Sequence, residues 1–285
     1  MITALLIGLT VILAWAAPRI MARQTIFRRS PRAALFAWQA VTLAAIIAGL
    51  AAAPTILPIV LFDGQAIWQH GILVLIGVAV SLLLLARLLL AGHHIGTRMR
   101  ELRREHRELV DIIARQDNDH RGLRILEHPT PTAYCLPGRH QRVVLSRGAL
   151  DALDPEEFAA VLTHERAHLR ARHDLLVEFF SVIHETVPAP LRSQAAMREV
   201  RLLVEVLADR SAVREVGAPA MQSALLALSG ARAPEAAMSM NAVASAPVRI
   251  DLLQRRSSAL LSVVIYGYAA LLLLLPVGLF AAAWA

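Results

Sequence analysis

Long apolar runs alternate with arginine-rich segments along this chain. Ile2 to Ala17, Ala33 to about Ala53, Gly71 to Ala91 and Ser258 to about Trp284 are almost free of charge. Each is long enough to cross a bilayer as a helix, which takes about 20 apolar residues and somewhat fewer when upright. The third run carries Arg87 near one end, where a long side chain can reach the interface. Arg19, Arg23, Arg28, Arg29 and Arg32 follow the first run, and Arg249, Arg255 and Arg256 precede the fourth. Thr55 to His70 holds neither Arg nor Lys, and its Trp68 suits an interface. Basic loops stay on the cytosolic side. The pattern therefore predicts a multi-pass plasma-membrane protein with both termini outside and Ile20–Pro31 and Gly92–Ser257 inside. Three spans (about 2–17, 33–53 and 71–91) fill residues 1–91, a cytosolic domain fills 92–257, and a fourth span fills 258–285.

Within 92–257 the periodicity changes. Arg98 to Arg115 alternates Arg and Glu over a stripe of Met99, Leu102, Leu109 and Ile113, an amphipathic helix whose arginines suit anionic lipid headgroups. Leu123–Leu126, Thr132–Leu136 and Arg142–Ser146 read as short strands punctuated by Pro129, Pro131 and Pro137-Gly138. Asp154-Pro155-Glu156-Glu157 is a helix start, with Asp as cap, Pro at the first position and Glu at the third. Leu175 to Ile183 is apolar but too short to span, and is broken by Glu178. Helices follow over Ser193–Val216, stopped by Gly217, and near Ala220–Leu228, before a Gly/Ala/Ser/Pro-rich loop from Gly230 to Pro247. The fold class is mostly α: four transmembrane helices and a cytosolic α+β domain with a small sheet.

Composition narrows the partners. Hydrophobic residues make up 56% of the 285, above the usual share for a soluble domain. The net charge of +7 would admit nucleic acid, but the arginines sit beside apolar runs, so the expected partner is the lipid bilayer and no direct nucleic-acid binding. A single cysteine, Cys135, makes no internal disulfide and fits a reducing cytosol. No basic segment precedes Ile2, so no cleavable signal peptide is expected.

The candidate chemistry lies at His164-Glu165-Arg166-Ala167-His168. Histidines at i and i+4 share one helix face and can share one Zn²⁺, and the glutamate beside them can handle a water proton. A catalytic zinc takes three protein ligands and leaves one position open. Glu205 and Asp174 are the candidates for the third. Glu205 shares a face with Asp209, so one carboxylate can bind metal while the other accepts a hydrogen bond from a ligand histidine. Asp174 would need a sharp turn where this chain has Ala171 instead of glycine, and is read as a cap of the following helix. His173 is off-register for the metal and reads as a surface histidine. Tyr134 and Arg249 are candidates for a substrate-edge or oxyanion role that spacing does not identify, and Arg249 also reads as a structural charge. A substrate in extended form is expected to add to a sheet edge near Tyr134–Pro137. Cys135 reads as a small buried strand residue.

Tyr134-Cys-Leu-Pro-Gly138, Val143-Val-Leu-Ser-Arg-Gly148, the His164–His168 motif and Glu205-Val-Leu-Ala-Asp209 together resemble the BlaR/MecR-type membrane metallopeptidases, which are related to the HtpX and CAAX prenyl protease group. The resemblance covers about Leu123 to Arg214 in motif. It implies a gluzincin domain with one catalytic zinc, His164, His168 and Glu205 as ligands and Glu165 as the catalytic residue. The sequence ends at Ala285, so a short form without the penicillin-binding sensor domain is expected. The implied function is a zinc endopeptidase that signals by cleaving a BlaI/MecI-type repressor or itself. Quality-control proteolysis of HtpX type is an alternative, a non-catalytic scaffold with structural zinc is another, and a homo-oligomer stays open.

Overall fold

A computed structural model describes residues 1–56, 64–229, 238–239, 246–255 and 258–284. The readings that fall on Arg256 and on parts of the Thr55–His70 and Gly230–Pro247 connections, the side chain of Trp68 included, lie outside the described residues.

The chain forms two compact units. The first holds Met1–His94, Phe180–Val200 and Ser257–Ala285. Four helices are long and apolar enough to cross a membrane: α1 (Ile2–Arg23), α2 (Pro31–Ala51), the apolar part of α3 (Gly64–Ile113) and α10 (Ala259–Ala282). Helix α2 is the most enclosed of them, packed between α1 and α10 along a face of small residues that includes Ala37, Ala40, Ala44 and Ala48. Small side chains let backbones approach where lipid gives no hydrophobic incentive to associate. Ser81 and Arg28 are paired inside this unit: Ser81 donates to the Gly49 carbonyl at 2.7 Å, and Arg28 forms a two-pronged bridge to buried Glu199 at 2.6 and 2.7 Å. Phe180–Val200 groups with these helices, although the sequence reading gave it to the domain 92–257.

The second unit holds Ile95–Phe179 and Arg201–Arg256. Its sheet contains β1 (Ala114–Gln116), β2 (Leu123–Leu126), β3 (Ala133–Leu136), β4 (Arg142–Ser146) and β5 (Met238–Ser239) in the order β1-β2-β4-β3-β5. Strands β2 and β4 are parallel and the other pairs antiparallel. The amphipathic helix expected to Arg115 stops at Ile113, because Ala114 to Gln116 join the sheet against Arg124 to Leu126. Both faces of the sheet are covered. On one, Leu123, Cys135, Val143 and Leu145 meet Val161, Leu162 and Leu169 of α5 (Pro155–Ala171) and Met221 of α8 (Ala218–Ala227). On the other, Tyr134, Leu136 and Val144 meet Val110 of α3. A short helix, α4 (Arg147–Ala152), links β4 to α5. There the backbone of Gly148 passes so close to the Pro129 carbonyl that any Cβ would overlap it.

Candidate metal centre

Helix α5 is anchored at both ends. Asp154 accepts from the Glu157 amide at 2.8 Å while the Glu157 carboxylate accepts from the Asp154 amide at 2.9 Å, a complete capping box with Pro155 at the first turn. The other carboxylate oxygen of Glu157 accepts from Ser223 on α8. At the far end Arg172 takes the left-handed conformation (φ 51°), and its amide closes on the His168 and Leu169 carbonyls. Helix α6 (His173–Thr186) begins at the next residue. Helix α7 (Gln194–Val216) supplies the carboxylates, held by buried Leu203, Val204, Val206 and Ala208.

These elements bring His164, His168 and Glu205 together. The two Nε2 atoms are 3.1 Å apart, and each lies 3.5 Å from a Glu205 oxygen. A tetrahedral zinc with bonds of about 2.0–2.1 Å has ligand–ligand edges of roughly 3.3–3.4 Å, and each of these separations is close to such an edge, the two 3.5 Å distances ending on different oxygens of Glu205. Two facing Nε2 lone pairs repel unless a proton or an ion lies between them. The donor set, imidazole, imidazole and carboxylate, is the one a catalytic zinc takes. All three residues are nearly or fully buried.

Around them the charges are tightly arranged. Asp209 Oδ1 lies 2.9 Å from His164 Nδ1, an ion-pair contact rather than an aligned hydrogen bond, and is the acceptor available to an Nδ1 proton when Nε2 faces a metal. Arg249, on α9 (Ala246–Gln254) and 0% exposed, donates from Nε to Asp209 Oδ2 at 2.7 Å and from Nη2 to Oδ1 at 2.5 Å. Its Nη1 is 3.2 Å from Glu205. Burial lowers the His164 pKa, but Asp209 and Glu205 overcome this and raise it to about 9. Burial pushes His168 down to about 3. Burial would also raise Glu205 and Asp209, yet their cationic neighbours hold both below the usual carboxylate range.

Glu165 is fully buried, and burial raises its pKa to about 7. Neither of its oxygens has an N–H or O–H partner among the described residues. The group in contact with it is the thiol of Cys135, pushed well above its ordinary pKa by burial and by Glu165 itself. Cys135 is thus a neighbour of the site, and strand alternation places it there.

The same alternation removes Tyr134, contrary to the expectation of a substrate-edge or oxyanion role. Its ring belongs to the opposite face of the sheet, and its hydroxyl is 2.9 Å from His106 Nε2. Arg249 is not a free oxyanion donor either, because its guanidinium is committed to two carboxylates. The β3 edge is itself occupied: Tyr134 pairs with Ser239 and Cys135 with Met238. Asp174 lies in the first turn of α6 rather than capping it, and is buried in contact with Arg103 and Arg172, each at 3.6 Å. Arg103 also bridges to Glu178 at 3.2 Å. His173 is not a surface residue. It is buried, and its Nδ1 lies 3.0 Å from His168 Nδ1.

A buried imidazole pair and a carboxylate converging on one point, beside a protonatable glutamate, define a metallopeptidase-type centre in a chain with four membrane-length helices. Residues 97–255 match peptidase family M48, and the chain belongs to that family. It is a membrane metallopeptidase of a family that is generally zinc-dependent. No curated protein and no solved structure matches the chain.

Proposed function

We propose that the chain is a zinc-dependent endopeptidase, with His164, His168 and Glu205 holding one ion and Glu165 as the catalytic residue. The observation that carries this reading is the convergence of His164 Nε2 and His168 Nε2, 3.1 Å apart, with each of them 3.5 Å from one oxygen of the Glu205 carboxylate, beside a buried Glu165. Zinc, when bound, supplies Lewis acidity that activates water and polarises a peptide carbonyl. Glu165 takes a proton from the attacking water and delivers it to the leaving amine; a pKa near neutrality suits both transfers. Asp209 fixes the His164 tautomer, and Arg249 balances the two carboxylates. Substrate in extended form adds along β3, the strand packed on α5, where it takes the place of β5.

The arginines flanking the apolar helices support a centre on the cytosolic side with both termini outside. The resemblance to BlaR/MecR-type peptidases supports a regulatory substrate, a BlaI/MecI-type repressor or the chain itself. Quality-control cleavage of membrane proteins is the alternative outcome. The test is Glu165→Gln in the full chain. It is expected to keep one zinc and lose proteolysis, with termini proteomics of cells carrying either form identifying the substrates. Equal cleavage by wild type and variant refutes the peptidase reading, and zinc retained by Glu205→Ala refutes the ligand set.

A further inference from the structure

His173 is not a metal ligand in the proposed site, yet it is buried 3.0 Å from one. A neutral imidazole that offers Nε2 to a metal carries its proton on Nδ1, and that proton needs an acceptor. His164 has Asp209 for this purpose. Among the described residues no carboxylate faces His168 Nδ1; the group facing that atom is Nδ1 of His173, with the two rings nearly perpendicular at 83°. The backbone explains how this partner arrives. The left-handed Arg172 ends α5 and starts α6 without a linker, which folds His173 back under the last turn of α5.

The geometry points to His173 as the positioning residue for His168: it is held in the Nε2–H tautomer, its Nδ1 accepts the His168 Nδ1–H, and this fixes the His168 ring with Nε2 toward the metal. The inference rests on the zinc reading above. It makes the centre asymmetric, with an anionic acceptor behind one histidine and a neutral one behind the other. Loss of such a partner typically weakens metal binding by about 10–100-fold.

The experiment measures Zn²⁺ affinity of the purified full chain by competition with a chromophoric chelator. His173→Leu keeps the bulk and removes the acceptor, and is expected to bind Zn²⁺ about 10–100-fold more weakly. His173→Asn places Oδ1 near the position of Nδ1 and is expected to stay within about threefold of wild type, a rescue that a purely space-filling role does not give. Leu equal to wild type, or Asn falling as far as Leu, overturns the proposal. Should the Leu variant not fold, ¹⁵N–¹H correlation of the zinc-loaded wild type decides, since a His173 proton on Nδ1 overturns it alone. A wild-type chain that binds no Zn²⁺ refutes the metallopeptidase reading as well, whereas tight zinc with an unaffected Leu variant refutes only the role of His173.

Discussion

Arg249→Met tests the electrostatic frame of the centre. The substitution preserves much of the side-chain volume and removes a guanidinium that contacts Asp209 at 2.5 and 2.7 Å and Glu205 at 3.2 Å, all within a fully buried setting. Two carboxylates then stay buried without their cation. Removing one partner of a buried pair costs roughly 3–5 kcal/mol. For a domain of this size each kcal/mol lowers Tm by about 2–4 °C, so a fall of about 6–20 °C is expected. Saturating zinc restores part of it, because an ion beside Glu205 replaces the lost charge, and binding at 100 times Kd contributes about 2.7 kcal/mol. The assay is built into the chain. Cys135 is the only cysteine and is buried in the second unit, so a thiol-reactive fluorophore reports the melting of that unit. All four tryptophans (Trp15, Trp38, Trp68 and Trp284) belong to the first unit, and their fluorescence is the internal control. A thiol melt within about 2 °C of wild type, less than the loss expected for about 1 kcal/mol, refutes the countercharge role.

Three further outcomes follow from the same geometry. Asp209→Asn leaves the His164 proton without an anionic acceptor and is expected to weaken zinc by about 10–100-fold in chelator competition. Gly148→Ala drives a Cβ into the Pro129 carbonyl and is expected to destabilise the second unit by about 1–3 kcal/mol on the Cys135 melt, although Gly148 has no unusual φ. His106 is lowered from 6.5 by burial against Tyr134, so the unfolded chain binds its proton more readily. Its contribution to stability is complete above about pH 6.5 and declines as the pH falls below that value. His106→Gln should make the fall of denaturation free energy in that window shallower, leaving the part that the lowered His168 and His173 contribute, while the Arg-paired Asp111 titrates below its ordinary 3.8 and separately.

Local signals carried much of the fold. Asp154-Pro155 and Glu157 announce α5 because capping is a matter of neighbouring residues, and Gly217 ends α7 with the positive φ (90°) that glycine allows cheaply. Apolar run length gave the four membrane helices for the same reason. The choice between Tyr134 and Cys135 was not legible, because a strand faces both ways and only the register Tyr134↔Val144 and Cys135↔Val143 decides which side meets α5. Arg249 was legible as a charge but not as a buried one, since its partner is 40 residues away in sequence. The burial of His173 is not legible in the sequence, because nothing there marks Arg172 as left-handed. Non-glycine residues rarely adopt that conformation, and without it His173 points away from His168.

The pairing of Met238–Ser239 with β3 sets a kinetic and concentration threshold for whatever binds there. Two segments of one chain meet at an effective concentration on the order of millimolar, against which a dilute free peptide competes poorly. A protein that first docks elsewhere, or is confined to the same membrane, reaches a comparable local concentration. Short soluble peptides are therefore weak reporters of this edge, and tethered substrates are the appropriate ones.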